Sequence, residues 1–353
     1  VAIIEDTGAD ARSEAVRTRA HEAGLRYATP DELPLTRRRS GKGFVYLNGG
    51  GTPVRDPNLR QRLKRLAVPP AWTEVRLAKD PLAHIQAVGR DAEGRRQYRY
   101  HELWTESGAA VKAARLSALG GALCDVRDNV AAQLRRRTVD RDFAMGCAIA
   151  LLDRAGLRVG YAEYCRETGG RGAMTLQRRH VKIADGAVTL SFFGKSGKRI
   201  LRTLHDPELA NALARLREAG GADLFSWGKA ADAMLTADDV NAWLHAHVDD
   251  GASARDFRTF RGSAIAAGAL QEADSDPARA LRAAIRQAAA FLANTEAVCR
   301  SSYVHPLVQS AFQDEALDRA GLFNGPTRSG LDRGETALLR LLERTETAGP
   351  GRQ

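Results

Sequence analysis

Cations and tyrosines stand in unusual settings at five places in this chain. Arg95-Arg96-Gln97-Tyr98-Arg99-Tyr100-His101 interleaves cations with aromatic rings. On an extended strand Gln97, Arg99 and His101 face one way, and Arg96, Tyr98 and Tyr100 the other. Arg158-Val-Gly160 follows a helical segment ending at Gly156, and Lys195 falls at the tip of an expected hairpin. Arg255-Asp-Phe-Arg258-Thr-Phe-Arg261 opens an Ala-rich helix with three cations spaced three apart, which clusters them on neighbouring faces. Near the end comes Asn294-Thr-Glu-Ala-Val-Cys-Arg300-Ser-Ser-Tyr303-Val-His-Pro306. Taken singly, these are ordinary surface cations and a half-buried tyrosine. Together, cations and rings of this kind suit phosphates and base edges.

Other chemistries lack their residues. Gly194-Lys195-Ser196 would need a glycine at position 189 to form a phosphate-binding loop, and Thr189 stands there. Gly49-Gly50-Gly51 and Gly169-Gly170-Arg171-Gly172 lack the dinucleotide spacing and read as turns. His245 and His247 are two apart on an expected helix and point to different faces, so no metal pair is expected. Cys124, Cys147, Cys165 and Cys299 include no C-x-x-C pair, which fits free thiols in a reducing compartment. Nothing near Cys299 in sequence would lower its pKa toward that of a nucleophile.

The elements that must position these residues differ between the two parts of the chain. Its 353 residues suggest two or three domains, and 44% hydrophobic with 27% charged content is that of a folded globular protein. The first hundred residues read as β-rich. Gly43–Leu47 is a strand closed by the Asn48–Gly51 turn, and Asn58–Leu66 a basic helix stopped at Pro69-Pro70. Trp72–Leu77, His84–Val88 and Gln97–Leu103 read as further strands. After Ser107 the texture turns to Ala, Leu and Arg at helical spacing, which sets expected domains of 1–106 and 107–353. Helices are expected at Val111–Leu119, Asp125–Arg136, Asp140–Ala155, Pro207–Ala219, Thr236–His247, Ala254–Leu270, Pro277–Leu292, Pro306–Leu317 and Glu335–Glu343, with a polar tail beyond. A β-island at His180–Leu204 interrupts them, turning at Asp185-Gly186 and at Gly194–Gly197. The fold class is therefore α+β: a β-rich N-terminal domain and a mainly helical second domain with a three-stranded island. The formal charge of +10 favours a polyanionic partner, nucleic acid ahead of membrane. The longest apolar run, Ala144–Leu152, is too short to span a bilayer, and Val1–Arg12 carries no secretory pattern.

In this order and spacing the motifs resemble the small type IB DNA topoisomerases of bacteria and poxviruses, from about Leu33 to Pro306. The resemblance is carried by Leu33-Pro-Leu-Thr-Arg-Arg-Arg-Ser-Gly-Lys-Gly-Phe, Val68-Pro-Pro-Ala-Trp and Gly94-Arg-Arg-Gln-Tyr-Arg-Tyr-His. Leu157-Arg-Val-Gly, Arg255-Asp-Phe-Arg-Thr-Phe and Asn294-Thr…Arg300-Ser-Ser-Tyr-Val-His-Pro complete it. It implies that Tyr303 is the nucleophile, leaving a 3′-phosphotyrosyl link and a free 5′-hydroxyl. Arg158 and Arg258 would hold the non-bridging oxygens of the scissile phosphate, Lys195 would protonate the leaving 5′-oxygen, and Asn294 takes a position that is His in the poxviral enzymes. Tyr98, Tyr100, Gln97, Tyr164, Arg96, Arg255 and Arg261 would contact DNA. Glu296 departs from the family's Pro. The resemblance further implies a clamp around double-stranded DNA, a monomer without cofactor, metal or membrane attachment, and a cytoplasmic, nucleoid-associated location.

The chemistry agrees with that set. Transesterification at a phosphodiester needs charge on the phosphorane oxygens stabilised, a positioned nucleophile and a proton for the leaving alkoxide. Guanidiniums supply planar, permanent donors and Asn a neutral one. Tyr, with a pKa near ~10, is weak until neighbouring cations favour its phenolate. A tyrosine recombinase shares the active-site set but carries His-x-x-Arg where Arg255-Asp-Phe-Arg258 stands here. A non-enzymatic DNA-binding protein would have no need of Tyr303, Lys195 and two arginines together.

Overall fold

The computed structural model describes residues 7–228, 233–272, 276–314 and 317–347. Val1–Asp6 and the last six residues of the expected polar tail lie outside them. The chain divides into two compact units, Val1–Val111 and Lys112–Gln353.

The first unit holds helix α1 (Thr7–Glu22), strands β1 (Leu35–Ser40) and β2 (Gly43–Leu47), helix α2 (Pro57–Arg65), and strands β3 (Thr73–Leu77), β4 (Ile85–Arg90) and β5 (Arg96–Tyr100). The strands form one antiparallel sheet in the order β2-β1-β3-β4-β5. Local chemistry closes its turns. The Asn48 side chain accepts from the backbone N–H of Gly50 and Thr52, and Gly51 takes the left-handed backbone at φ 75°. Asp56 caps α2 by accepting from Asn58 N–H at 2.9 Å, ahead of Pro57 in the first turn. Leu63 of that helix packs with Leu35, Val75, Leu77 and Ala87 on one sheet face. Leu33, Ala83, Ile85 and Val88 fill the other, with Tyr98 against them.

Helix α3 (Glu102–Leu134) runs unbroken through Ser107, where the change of texture suggested a boundary, and through both helices expected between Val111 and Arg136. Gly120-Gly121 does not break it, because tertiary packing uses the missing side chain. A Cβ on Gly120 would meet Leu339 at 2.4 Å and Phe260 at 2.8 Å.

The second unit continues with α4 (Arg141–Ala155), α5 (Ala162–Thr168), the island strands β6 (Val181–Ala184), β7 (Ala187–Phe193) and β8 (Arg199–His205), and α6 (Pro207–Glu218). The short pair β9 (Ser226–Trp227) and β10 (Ala233–Met234) leads to α7 (Ala237–His247), α8 (Ala254–Gly268), α9 (Pro277–Leu292), α10 (Glu296–Ser302), α11 (Pro306–Ala311), α12 (Arg319–Phe323) and α13 (Arg333–Thr347). The expected helix from Pro306 to Leu317 thus stops at Ala311. Helix α4 is buried nearly all round and forms the centre of a core to which α3, α8, α9 and α13 contribute. That explains its unbroken apolar run. β6, β7 and β8 pair antiparallel in chain order. Asp185-Gly186 makes the first turn with both residues at positive φ, and a 3-10 turn at Lys195–Gly197 makes the second. No helix among the described residues is long and apolar enough to cross a membrane.

Candidate active site

The ends of α4 and α9 meet, and the site is built on their last carbonyls. Helix α4 closes at Gly156 in the left-handed conformation, with φ 58°. A Cβ there would meet the Phe291 ring at 2.6 Å. Arg158 follows on a segment that crosses a second glycine-rich stretch: Ala173 N–H donates to Arg158 C=O at 2.8 Å and Met174 N–H to Val159 C=O at 2.7 Å. A Cβ on Gly172 would lie 2.5 Å from the Arg158 carbonyl, so Gly172 sets how closely the two segments approach. Helix α9 ends at Ala293, φ 50°, which turns Asn294 out of the helix while its N–H still donates to Ala289 C=O at 3.0 Å. Arg158 Nη2 then donates to Asn294 Oδ1 at 2.5 Å.

Arg258, on α8, is 3% exposed. It donates through Nη1 to Gly156 C=O and through Nη2 to Leu292 C=O at 2.8 Å. A cation is favoured at converging helix C-termini because the last carbonyls carry partial negative charge. Its Nε and the Asn294 side-chain nitrogen are buried donors without a partner. Arg158, Arg171, Arg202 and Arg258 all line one small cavity of about 20 Å³.

Tyr303 caps the C-terminus of α10 and is 8% exposed. Arg258 Cζ lies 4.9 Å from its ring centroid and Arg255 Cζ 5.5 Å. Its backbone is seated on α8. A Cβ on Gly262 would come within 2.5 Å of the Tyr303 carbonyl, which accepts from Ser263 Oγ at 3.3 Å. Burial pushes the Tyr303 hydroxyl pKa up, but the charges of Arg258 and Arg158, with that of Arg255, outweigh it and hold it below 10.0. Arg258 is pushed down to about 10, by burial first and by Arg158 next. The site therefore favours negative charge at Tyr303. Cys299, one helical turn before it, is buried, and loss of water pushes its thiol up to about 11, which leaves it inert.

The structure thus brings Arg158, Arg258, Asn294, Tyr303 and Arg255 together. Lys195 stands apart from them, exposed on the β7–β8 turn, with Nζ 6.0 Å from the Tyr164 ring centroid. Lys198, at the other side of that turn, reaches the Asn294 carbonyl at 3.4 Å. In the first unit Tyr98 and Tyr100 stack at 5.7 Å, with Tyr100 45% exposed and Arg96 exposed beside them. Gln97 donates to Asp91 at 2.8 Å.

Arg261, expected as a DNA contact, is held within the second unit. Its guanidinium bonds Asp332 at 2.8 Å and the fully buried Glu335 at 2.7 Å, which spends its charge inside the scaffold. Glu296, the departure from the family's Pro, occupies the first position of α10 behind the Thr295 cap. Pro is favoured there by its fixed φ, and a carboxylate by the helix dipole, so the substitution keeps the helix start. Glu296 also pairs with Arg286 at 3.1 Å.

Two cavity arginines escaped the sequence reading. Arg171 lay in a glycine cluster read only as a turn. Arg202 pairs with the buried Leu190, at the inward position between Ile200 and Leu204. A cation at an inward strand position was the available signal.

Comparison with known proteins accords with this geometry. Residues 109–318 match the family model described as the eukaryotic DNA topoisomerase I catalytic core, and residues 43–91 that of the bacterial DNA topoisomerase IB N-terminal domain. The DNA topoisomerase 1B of Acanthamoeba polyphaga mimivirus is 28% identical over 232 residues, covering 64% of this chain and 69% of that protein. The DNA topoisomerase 1B of vaccinia virus (strain Copenhagen) and the DNA topoisomerase I of monkeypox virus are each 22% identical over 165 residues, covering 44% of this chain. The chain spans about half the length of these poxviral relatives, 51%. Since the catalytic-core match takes in more than half of its residues, the chain belongs to the type IB DNA topoisomerase family.

Proposed function

We propose that this protein relaxes positively and negatively supercoiled duplex DNA by transient cleavage of one strand. The Tyr303 oxygen attacks phosphorus, its proton passes to solvent, and the P–O5′ bond breaks. A 3′-phosphotyrosyl ester and a 5′-hydroxyl result. Lys195 supplies the proton that the leaving 5′-oxygen takes up, and the reverse attack by the 5′-hydroxyl reseals the strand. Each cycle breaks one phosphate ester and makes another, so resealing needs no ATP. Arg158, Arg258 and Asn294 stabilise the phosphorane oxygens as preorganised donors. The charge that the transition state needs comes from guanidiniums, so no step is routed through a metal ion. Duplex DNA is engaged by both units, through the Tyr98–Tyr100 strand in the first and the cation cluster in the second. The protein acts as a monomer on cytoplasmic, nucleoid DNA.

The observation that carries this reading is a buried tyrosine held against two guanidiniums, beside the unpartnered donors Arg258 Nε and Asn294 Nδ2. Relaxation of supercoiled plasmid without ATP and with a chelator present tests it. Tyr303→Phe keeps the ring but has no attacking oxygen, so it should bind DNA and yield no covalent adduct on a denaturing gel. An adduct with the Phe variant would overturn the assignment of Tyr303.

A further inference from the structure

We infer that Arg202 is a positioning residue that ties the Lys195 hairpin to the helix ends presenting Arg158 and Asn294. The inference rests on the function proposed above, and it concerns a residue that the sequence reading passed over.

Strand β8 leads away from the Lys195 turn, and Arg202 points from it toward the cavity. Its Nη1 donates to Ala155 C=O at 2.7 Å, and its Nη2 donates to Phe291 C=O. Arg258 takes the next carbonyl on each helix, Gly156 and Leu292. The two guanidiniums therefore staple the ends of α4 and α9 in parallel, one rung apart. Arg258 does so from α8, and Arg202 from the island. Ala155 lies three residues before Arg158, and Phe291 three before Asn294. Strand β8 is thus held against both phosphate-binding residues through one side chain. The Phe291 ring covers the guanidinium, with Cζ 4.7 Å from its centroid. Loss of water lowers the Arg202 pKa, so the position bears a desolvation cost that an apolar side chain would avoid. The compensation visible in the structure is the pair of carbonyl bonds.

Lys195 itself is exposed on a three-residue turn closed by Gly194 N–H to Lys198 C=O at 2.8 Å. Its place relative to the phosphate site is set by how the island's strands are held. Removing the staple should therefore impair protonation of the leaving oxygen more than it impairs the attack by Tyr303.

The test is single-turnover cleavage by the full chain of a duplex bearing a site that the wild type cleaves. The duplex is made once with the ordinary 5′-oxygen and once with a 5′-bridging sulfur, whose thiolate leaves without a proton. Arg202→Met should slow the oxygen substrate about tenfold, within the range of coupling between contacting groups, and leave the sulfur substrate within about twofold of wild type. Added to Lys195→Ala, it should cause no further loss on the oxygen substrate. Arg202→Lys keeps the charge but not the planar fork, and should show the same sulfur-selective loss. Equal slowing on both substrates, or wild-type rates with Arg202→Lys, would overturn the inference. If Arg202→Met does not fold, the Lys variant and its combination with Lys195→Ala decide the matter. Absence of cleavage by the wild type would overturn the proposed function itself.

Discussion

Replacing Glu335 by Gln removes one negative charge from a buried ion network in the second unit. Glu335 is fully buried. Its Oε1 accepts from Arg127 Nη2 at 2.8 Å and Arg261 Nη1 at 2.7 Å, and its Oε2 from Arg127 Nη1 and Asp332 N–H, both at 2.9 Å. Arg127 also forks onto Asp153 at 2.8 and 3.0 Å. One carboxylate therefore joins α13 to α3 and α8, and through Arg127 to α4. The Gln amide keeps the volume and one acceptor but turns a donor toward guanidinium donors. Removing one partner of a buried pair costs about 3–5 kcal/mol. Each arginine retains a second carboxylate, so the lower end, about 3 kcal/mol, is expected. For a unit of this size that corresponds to roughly 6–12 °C in Tm.

The pH dependence has a definite sign. Burial raises the Glu335 pKa, but the hydrogen bonds and charge of Arg127, the Asp332 N–H and the charge of Arg261 win and hold it below 4.5. A depressed carboxyl contributes stability above its unfolded pKa and loses it as pH falls through the folded value. The difference between wild type and Glu335→Gln should thus be full at neutral pH and shrink as pH drops below about 4.5. Calorimetric or circular-dichroism melts across that window measure it. A variant that melts within ~2 °C of wild type at pH 7, or a gap that ignores pH, would refute the reasoning.

Three further outcomes are expected. The cleavage rate should rise with pH along a limb whose midpoint lies below the ordinary tyrosine value of 10.0, and Arg158→Ala should move that midpoint upward. A wild-type limb at or above 10.0 would contradict the electrostatic account. Gly172→Ala removes no polar group but sets a methyl 2.5 Å from the Arg158 carbonyl. It should cost about 1–3 kcal/mol in a denaturant titration and slow cleavage, and wild-type behaviour in both would show that the crossing is soft. DNA affinity should fall steeply with salt, with a log–log slope of about −0.9 per neutralised phosphate, and Tyr100→Ala should weaken binding without changing that slope. A salt-insensitive affinity would rule out phosphate contacts as its main source.

What the sequence disclosed was local. Asn48–Gly51 and Asp185-Gly186 close their turns with their own backbone and side-chain chemistry, so both were legible from residue type. The same holds for the basic helix expected from Asn58, which starts at Pro57 behind the Asp56 cap, and for the three-stranded island that presents Lys195. The motif residues around Arg158, Arg258, Asn294 and Tyr303 were recognisable as a set by order and spacing. Their geometry was not.

That depended on partners distant in the chain. Gly120-Gly121 resembles a helix end until Leu339 and Phe260 pack on it. Arg261 resembles a surface cation until Glu335, 74 positions on, neutralises it. Arg202 is one more arginine among 53 Lys and Arg until two helix ends offer it their last carbonyls. Turn and cap preferences are decided within about four residues, where covalent geometry limits the choices. Where a guanidinium spends its donors is decided by whichever carbonyl or carboxylate the packed core leaves unpaired, and only the tertiary structure brings those groups within reach.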